Sequence, residues 1–200
     1  MPAESRRAEK RTLIADAAVE VFAEKGFHQA RVSDIARRAG VADGTIYLYF
    51  KNKEDLLLCI FEEKMQILLD GLVSALAAVD DPLEKIRVFA RYHFEQVRDN
   101  RAVAEVLLVE LRLSNKFVKD YRPKKLWAYL GAFGQILQDG VDRGLIRDDV
   151  DPFIASWAFF GSLDEIAMQW VLARNKQKFN LEDAAEQVAR VFIRGFRADT

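Results

Sequence analysis

Between Val32 and Lys53 the chain reads Val-Ser-Asp-Ile-Ala-Arg-Arg-Ala-Gly40-Val-Ala-Asp-Gly-Thr-Ile-Tyr-Leu-Tyr-Phe50-Lys-Asn-Lys, two short apolar stripes joined at one glycine. Few folds accept that spacing. Val32, Ile35, Ala36 and Ala39 recur at i, i+3, i+4 and i+7, the period of one helix face, which turns Arg37 and Arg38 to the other side. Gly40 supplies a tight turn, and Ile46 and Phe50, four apart, face inward on a second helix. Gly44, Thr45, Tyr47 and Leu48 are left facing outward or sideways. The pattern predicts a helix-turn-helix whose second helix, over 44–50, enters the major groove of double-stranded DNA.

Each outward residue type suits that task. Gly44 lets the backbone approach the bases, Thr45 donates or accepts a hydrogen bond, Leu48 can meet a thymine methyl, and Tyr47 or Tyr49 can reach a phosphate. Lys51 and Lys53 follow, where backbone contacts position rather than specify. Paired amphipathic helices about a glycine also occur in proteins that never touch DNA. An outward Tyr-Leu-Tyr run ringed by Arg37, Arg38, Lys51 and Lys53, however, is costly to leave in water without a partner.

Overall charge hides a split. Residues 1–53 hold ten Lys or Arg against seven Asp or Glu, net +3, whereas residues 54–200 hold twenty against twenty-four, net −4. The basic end is the end with the motif. Arg6, Arg7, Lys10 and Arg11 precede the first apolar stripe, either as an arm that reaches DNA or as a frayed, solvated terminus.

The remaining chemistry excludes more than it suggests. Cys59 stands alone, so no internal disulfide forms, as suits a reducing cytoplasm, and it reads as a small helix residue. The most apolar run, 153–163, is eleven residues long; a membrane span needs about 20, so a soluble protein without a membrane partner is expected, and no leader opens the chain. There are two histidines, His28 and His93, no Cys or His pair at metal-ligand spacing, no Glu-x-x-His, no Gly-rich phosphate loop and no nucleophile elbow. Neither enzyme activity nor a metal or cofactor is expected.

Punctuation beyond residue 53 predicts an all-α chain. A long helix runs over about 52–79, Asp81-Pro82 opens the next, another covers 100–115, Pro123 begins one ending at Arg143-Gly144, Asp151-Pro152 starts one to about 173, and Asn180 caps the last, to about 196. Nine helices result: three in a head over 1–51, then a connector and five more in a body over 52–200. Because the connector follows the reading helix almost directly, a movement of the body is expected to tilt the head as a rigid unit.

Residues 10–60 resemble the N-terminal domain of TetR-family transcriptional regulators. The likeness lies in Leu13, Ile14, Ala17, Ala18, Val21 and Phe22, then Gly26-Phe27, Val32-x-x-Ile35-Ala36, Ala39-Gly40-Val41, Gly44 to Phe50, and Lys53-Glu-x-Leu56-Leu57. One departure is that Ala30 and Arg31 stand where the family usually has Thr or Ser, whose hydroxyl caps the second helix and touches phosphate. That contact is expected from Arg31 or Ser33 instead. The resemblance also implies a homodimer through the last two helices, reading a palindromic operator. Ala155, Ala158, Ser162, Ala184, Ala185 and Ala189, beside Trp157, Val188, Val191 and Phe192, fit that interface or close packing within one subunit.

A looser likeness, through Val109–Asn115, Phe160–Glu165 with Trp170, and 41–55, is to the FadR-type branch. These are repressors of fatty-acid degradation genes that release DNA on binding long-chain acyl-coenzyme A (acyl-CoA). It implies the same effector here, with a drug-like or other apolar molecule as the rival, and a helical lipid-binding carrier as the alternative of another class. Phe89, Phe94, Trp127, Tyr129, Phe133, Phe153, Trp157, Phe159, Phe160 and Trp170 suit either an ordinary core or a deep apolar cavity, with Gly131, Gly134 and Gly161 leaving room between helices. Arg101, Arg112, Lys116, Lys119, Arg122, Lys124 and Lys125 are a solvated surface run or a phosphate site. The expected ligand set is Phe89, His93, Leu107, Leu111, Arg112, Lys116, Lys119, Trp127, Phe133, Phe160 and Asp164. His93 reads as a core histidine or a ligand contact, and Asp164 with Glu165 as a buried pair or a partner for Arg112.

Overall fold

The structure, a computed structural model, describes residues 3–111, 123–173 and 178–198. Nine helices run through them in chain order: α1 Ala3–Lys25, α2 Val32–Arg38, α3 Asp43–Ile46, α4 Lys53–Leu76, α5 Pro82–Asp99, α6 Arg101–Glu105, α7 Lys124–Asp142, α8 Pro152–Leu172 and α9 Leu181–Phe196. After α6 the chain continues as a π-helical turn, Val106–Glu110, where the Leu111 N–H donates to the Val106 carbonyl five residues back.

Helix ends follow the punctuation because their causes are local. Asp81 accepts the Leu83 N–H at 3.0 Å, Asp151 accepts those of Phe153 and Ile154 at 2.8 and 3.0 Å, and Asn180 accepts that of Asp183 at 2.6 Å. The long connector, α4, opens with a reciprocal box: Asn52 Oδ1 accepts the Asp55 N–H at 2.8 Å, and Asp55 Oδ2 accepts the Lys51 N–H at 3.0 Å. Gly26, Gly40 and Gly144 take φ of +76°, +65° and +69°, closing α1, α2 and α7 in a conformation other residues rarely adopt.

The chain forms two compact units, Met1–Lys64 with Ala102–Arg122, and Met65–Arg101 with Pro123–Thr200. In the first, Ile14, Ala18, Phe22, Ile35, Ala36, Leu57 and Ile60 are fully buried. In the second, α9 packs mainly on α5, and α7 and α8 pack on each other. There Gly71 allows a close approach: a Cβ at that position would collide with the Tyr92 hydroxyl.

Candidate DNA-reading head and aromatic core

The head is built by fixing α2 and the turn before it. Ile35 and Ala36 are buried, and on the outer side the Arg38 guanidinium donates to Glu20 at 2.5 Å and Glu24 at 2.7 Å on α1. Arg38 is thus a strut between helices, while Arg37 remains exposed. Arg31 is the N-cap residue and, as expected, makes no side-chain cap. Instead the Asp34 carboxylate accepts the Arg31 N–H at 3.2 Å and pairs with Lys25 at 2.9 Å. Lys25 and that N–H together hold the Asp34 carboxyl below its ordinary range.

The turn over 26–31 is clamped from two sides. Glu110, on the π-helical turn, accepts the Phe27 N–H at 2.6 Å. The Lys53 ammonium donates to the carbonyls of Phe27, of Ala30 at 3.0 Å and of His28 at 3.3 Å, and lies 4.5 Å from the centre of the Phe27 ring. Lys53, expected to contact phosphate, has its three donors directed at these carbonyls and so holds the turn.

The reading helix is shorter than the 44–50 expected. Regular helix stops at Ile46, after which Leu48 N–H bonds to Thr45 O at 3.1 Å and Tyr49 N–H to Ile46 O at 3.0 Å, the tighter i to i−3 pattern. This last turn swings Phe50 to 2% exposure while Tyr47 and Leu48 stay 58% and 72% exposed. Thr45 and Tyr49 are half-buried, and Ser33 likewise; Gly44, Arg31 and Lys51 are exposed. A Cβ on Gly44 would meet nothing within 4 Å, and its φ is not positive. Nothing among the described residues requires glycine there.

Beside Tyr49, Arg6, Arg7, Glu9, Lys10 and Leu13 line an open hollow of about 840 Å³. Arg7 stands 6.0 Å from the Tyr49 ring centre. These basic residues belong to α1, so the terminal arm is a helix face.

The second unit centres on Phe89. Its ring lies 4.8 Å from Tyr129, 5.4 Å from Phe133 and 5.6 Å from Phe159, and Phe133 stacks on Phe159 at 4.1 Å. His93 Nδ1 is 3.0 Å from the Tyr129 hydroxyl, whereas its Nε2 is buried without a hydrogen-bond partner among the described residues. Burial pushes the His93 pKa down to about 4 and that of the Tyr129 phenol up. A separate surface cluster joins Trp127, Phe153 and Trp157, with Trp127 stacked 6.2 Å from Phe153. Phe160 connects the two clusters, 6.3 Å from each of Trp157, His93 and Tyr129.

Comparison with known proteins matches residues 14–60 to the family model described as bacterial regulatory proteins, tetR family, and residues 61–195 to that of the YsiA-like protein, C-terminal region. The chain belongs to the TetR family. It is 39% identical over 182 residues to the fatty acid metabolism regulator protein of Bacillus subtilis, covering 91% of this chain and 93% of that protein. The solved structure of the fatty acid degradation regulator FadR from Bacillus halodurans superposes with a TM-score of 0.86 at 38% identity, over 95% of this chain and 97% of that one. That of the transcriptional regulator FadR from Bacillus subtilis in complex with stearoyl-CoA does so at 0.85 and 38%, over 93% and 99%.

As a TetR-family regulator the chain presents Gly44, Thr45, Tyr47, Leu48 and Tyr49 together on one head, with Arg31, Ser33 and Lys51 nearby in sequence. Of the expected ligand set, the structure brings together Phe89, His93, Phe133 and Phe160. Trp127 departs from that group, 48% exposed in the surface cluster. Leu107, half-buried, and Leu111, buried, belong to the unit of the head. Arg112, Lys116, Lys119 and Arg122 lie outside the described residues. Arg101 leaves the basic run: it donates to the Val171 carbonyl at 2.7 Å and covers the Trp170 ring at 4.8 Å.

Two further expectations are corrected. Asp164 is buried but Glu165 is exposed and bonded to Gln169, because adjacent helix residues point about 100° apart, so they are no buried pair. Gly131 and Gly161, expected to leave room between helices, are exposed instead. Of the small residues read as a dimer interface or as close packing within one subunit, Ala155, Ala184, Ala185 and Ala189 are buried within one chain and Ala158 is exposed. Tyr129, included among the aromatics but not in the ligand set, emerges as the partner of His93. Its spacing of 36 residues from His93 left no local signal. Among the described residues no helix is long and apolar enough to cross a membrane.

Proposed function

We propose that this chain is a cytoplasmic, homodimeric repressor of fatty-acid degradation genes that leaves its palindromic operator when long-chain acyl-CoA binds the body. The reading rests on one observation, the near full-length likeness to a Bacillus subtilis regulator whose solved structure holds stearoyl-CoA. In it, residues 1–51 read DNA and residues 52–200 bind the effector and dimerise. The reading residues are Gly44, Thr45, Tyr47 and Leu48, and phosphates fall to Tyr49, Lys51, Arg31, Ser33 and the basic face of α1.

Physical terms support each part. Each buried CH₂ of an acyl chain contributes roughly 0.8 kcal/mol, so ten methylenes supply about 8 kcal/mol before costs. Among 21 residues α8 carries only Asp164 and Glu165 as charges, yet Ile154 and Leu172 on it are 66% and 52% exposed, as is Val191 at 68% on α9. A helix so apolar on all sides belongs in a core, which a second copy would complete.

Fluorescence anisotropy with operator DNA tests the whole. Affinity should fall roughly 10³- to 10⁵-fold between 50 and 200 mM salt for six to ten phosphate contacts. Stearoyl-CoA should then weaken it about 5- to 150-fold. Saturating stearoyl-CoA without release refutes the effector assignment, and a monomer at micromolar concentration in light scattering refutes the dimer.

A further inference from the structure

His93 is the one buried side chain among the described residues whose polar atom lacks a partner, and it sits in the aromatic core beside Phe94, Tyr129 and Phe160. Which proton it carries follows from its neighbour. If Nδ1 held the proton and donated to Tyr129, the phenol hydrogen and the Nε2 lone pair would both be stranded among buried aromatic rings. If the Tyr129 hydroxyl donates to Nδ1 across 3.0 Å, only the Nε2 N–H is stranded. The second tautomer leaves fewer orphans and wins. Nε2 is thereby a neutral hydrogen-bond donor, buried from bulk solvent and held in direction by Tyr129.

Deepening the acyl-CoA reading and resting on it, we propose that His93 Nε2 donates a hydrogen bond to the thioester carbonyl oxygen of the bound acyl-CoA. Phe160, half-buried, lies between His93 and Trp157 of the surface aromatic cluster, 6.3 Å from each, and so links the buried imidazole to the surface side of the helix. The chemistry of the donor selects the ligand class. An imidazole with a pKa held near 4 stays uncharged at neutral pH and does not compensate a buried carboxylate, so it favours a neutral carbonyl over a free fatty acid.

The test compares stearoyl-CoA with its octadecyl thioether, which lacks only the carbonyl oxygen, by calorimetric titration of the full dimer. Wild type should prefer the thioester about 10- to 100-fold, one to two decades at about 1.4 kcal/mol each. His93→Leu should bind both alike, and Tyr129→Phe, which frees the tautomer, should keep the fold and lose part of the preference. Equal binding of both ligands by wild type overturns the proposal and leaves the acyl-CoA reading standing. So does a preference that survives in His93→Leu, since a packing role alone would weaken both ligands equally. Failure of wild type to bind either ligand overturns the effector reading, and this inference with it.

Discussion

Replacing Lys53 with methionine separates two roles that share one sequence signature. Methionine keeps most of the apolar stem and removes the ammonium that bonds Phe27 O, His28 O and Ala30 O. The His28 bond is exposed, so water replaces it; the other two are part-buried. Charge-assisted bonds contribute about 1.5–3 kcal/mol each, which solvent access reduces by about half here, and the contact over the Phe27 ring adds about 0.5–1 kcal/mol. The sum is about 3 kcal/mol, or a fall in Tm of roughly 6–12 °C for a chain this long. Differential scanning calorimetry measures that, and operator titrations across salt supply the discriminating number. A turn clamp leaves the salt slope unchanged while affinity falls with the disordered head. If Lys53 instead bound a phosphate in each subunit, its removal would lower the slope by about two and leave Tm alone. The second pattern would refute the role assigned to Lys53.

Two other outcomes follow from single residues. Gly44→Ala should leave Tm unchanged or raise it, since alanine is favoured over glycine in helices by up to about 1 kcal/mol and the site is empty, yet weaken operator binding at least tenfold; unchanged binding would remove Gly44 from the DNA face. His93, with its folded pKa lowered from 6.5 to about 4, takes up its proton more readily when unfolded. Stability is therefore whole above pH 6.5 and declines by about 3 kcal/mol as pH falls to 4, at 1.36 kcal/mol per pKa unit. Urea unfolding across that window should show the decline in wild type, and a His93→Gln profile equally steep would disprove the assignment to His93.

Local causes made much of the fold legible. Asp81-Pro82, Asp151-Pro152 and Asn180 set their helix starts through atoms two or three residues away, and the i, i+4 spacing of Ile46 and Phe50 sufficed to bury both. What escaped depends on distant chain. Lys53 looks like a cation beside a DNA-reading helix until the carbonyls 23 to 26 residues earlier are brought beneath it. The alanines of α9 carry the same spacing whether they face α5 or a second copy, and only the packing against α5 decides. The aromatic interior was half legible: composition announced it, whereas the pairing of His93 with Tyr129 required two helices to meet.

The bond from Phe27 to Glu110 spans 83 residues, and it bears on how such regulators can be recombined. Grafting residues 1–64 onto a foreign sensor would sever the turn before α2 from its carboxylate acceptor, leaving the Phe27 N–H to find another. The transplantable cassette is therefore discontinuous. Exchanging DNA specificity between such regulators calls for moving the short stretch that carries Glu110 along with the head, or for keeping both parents alike at Phe27 and Glu110.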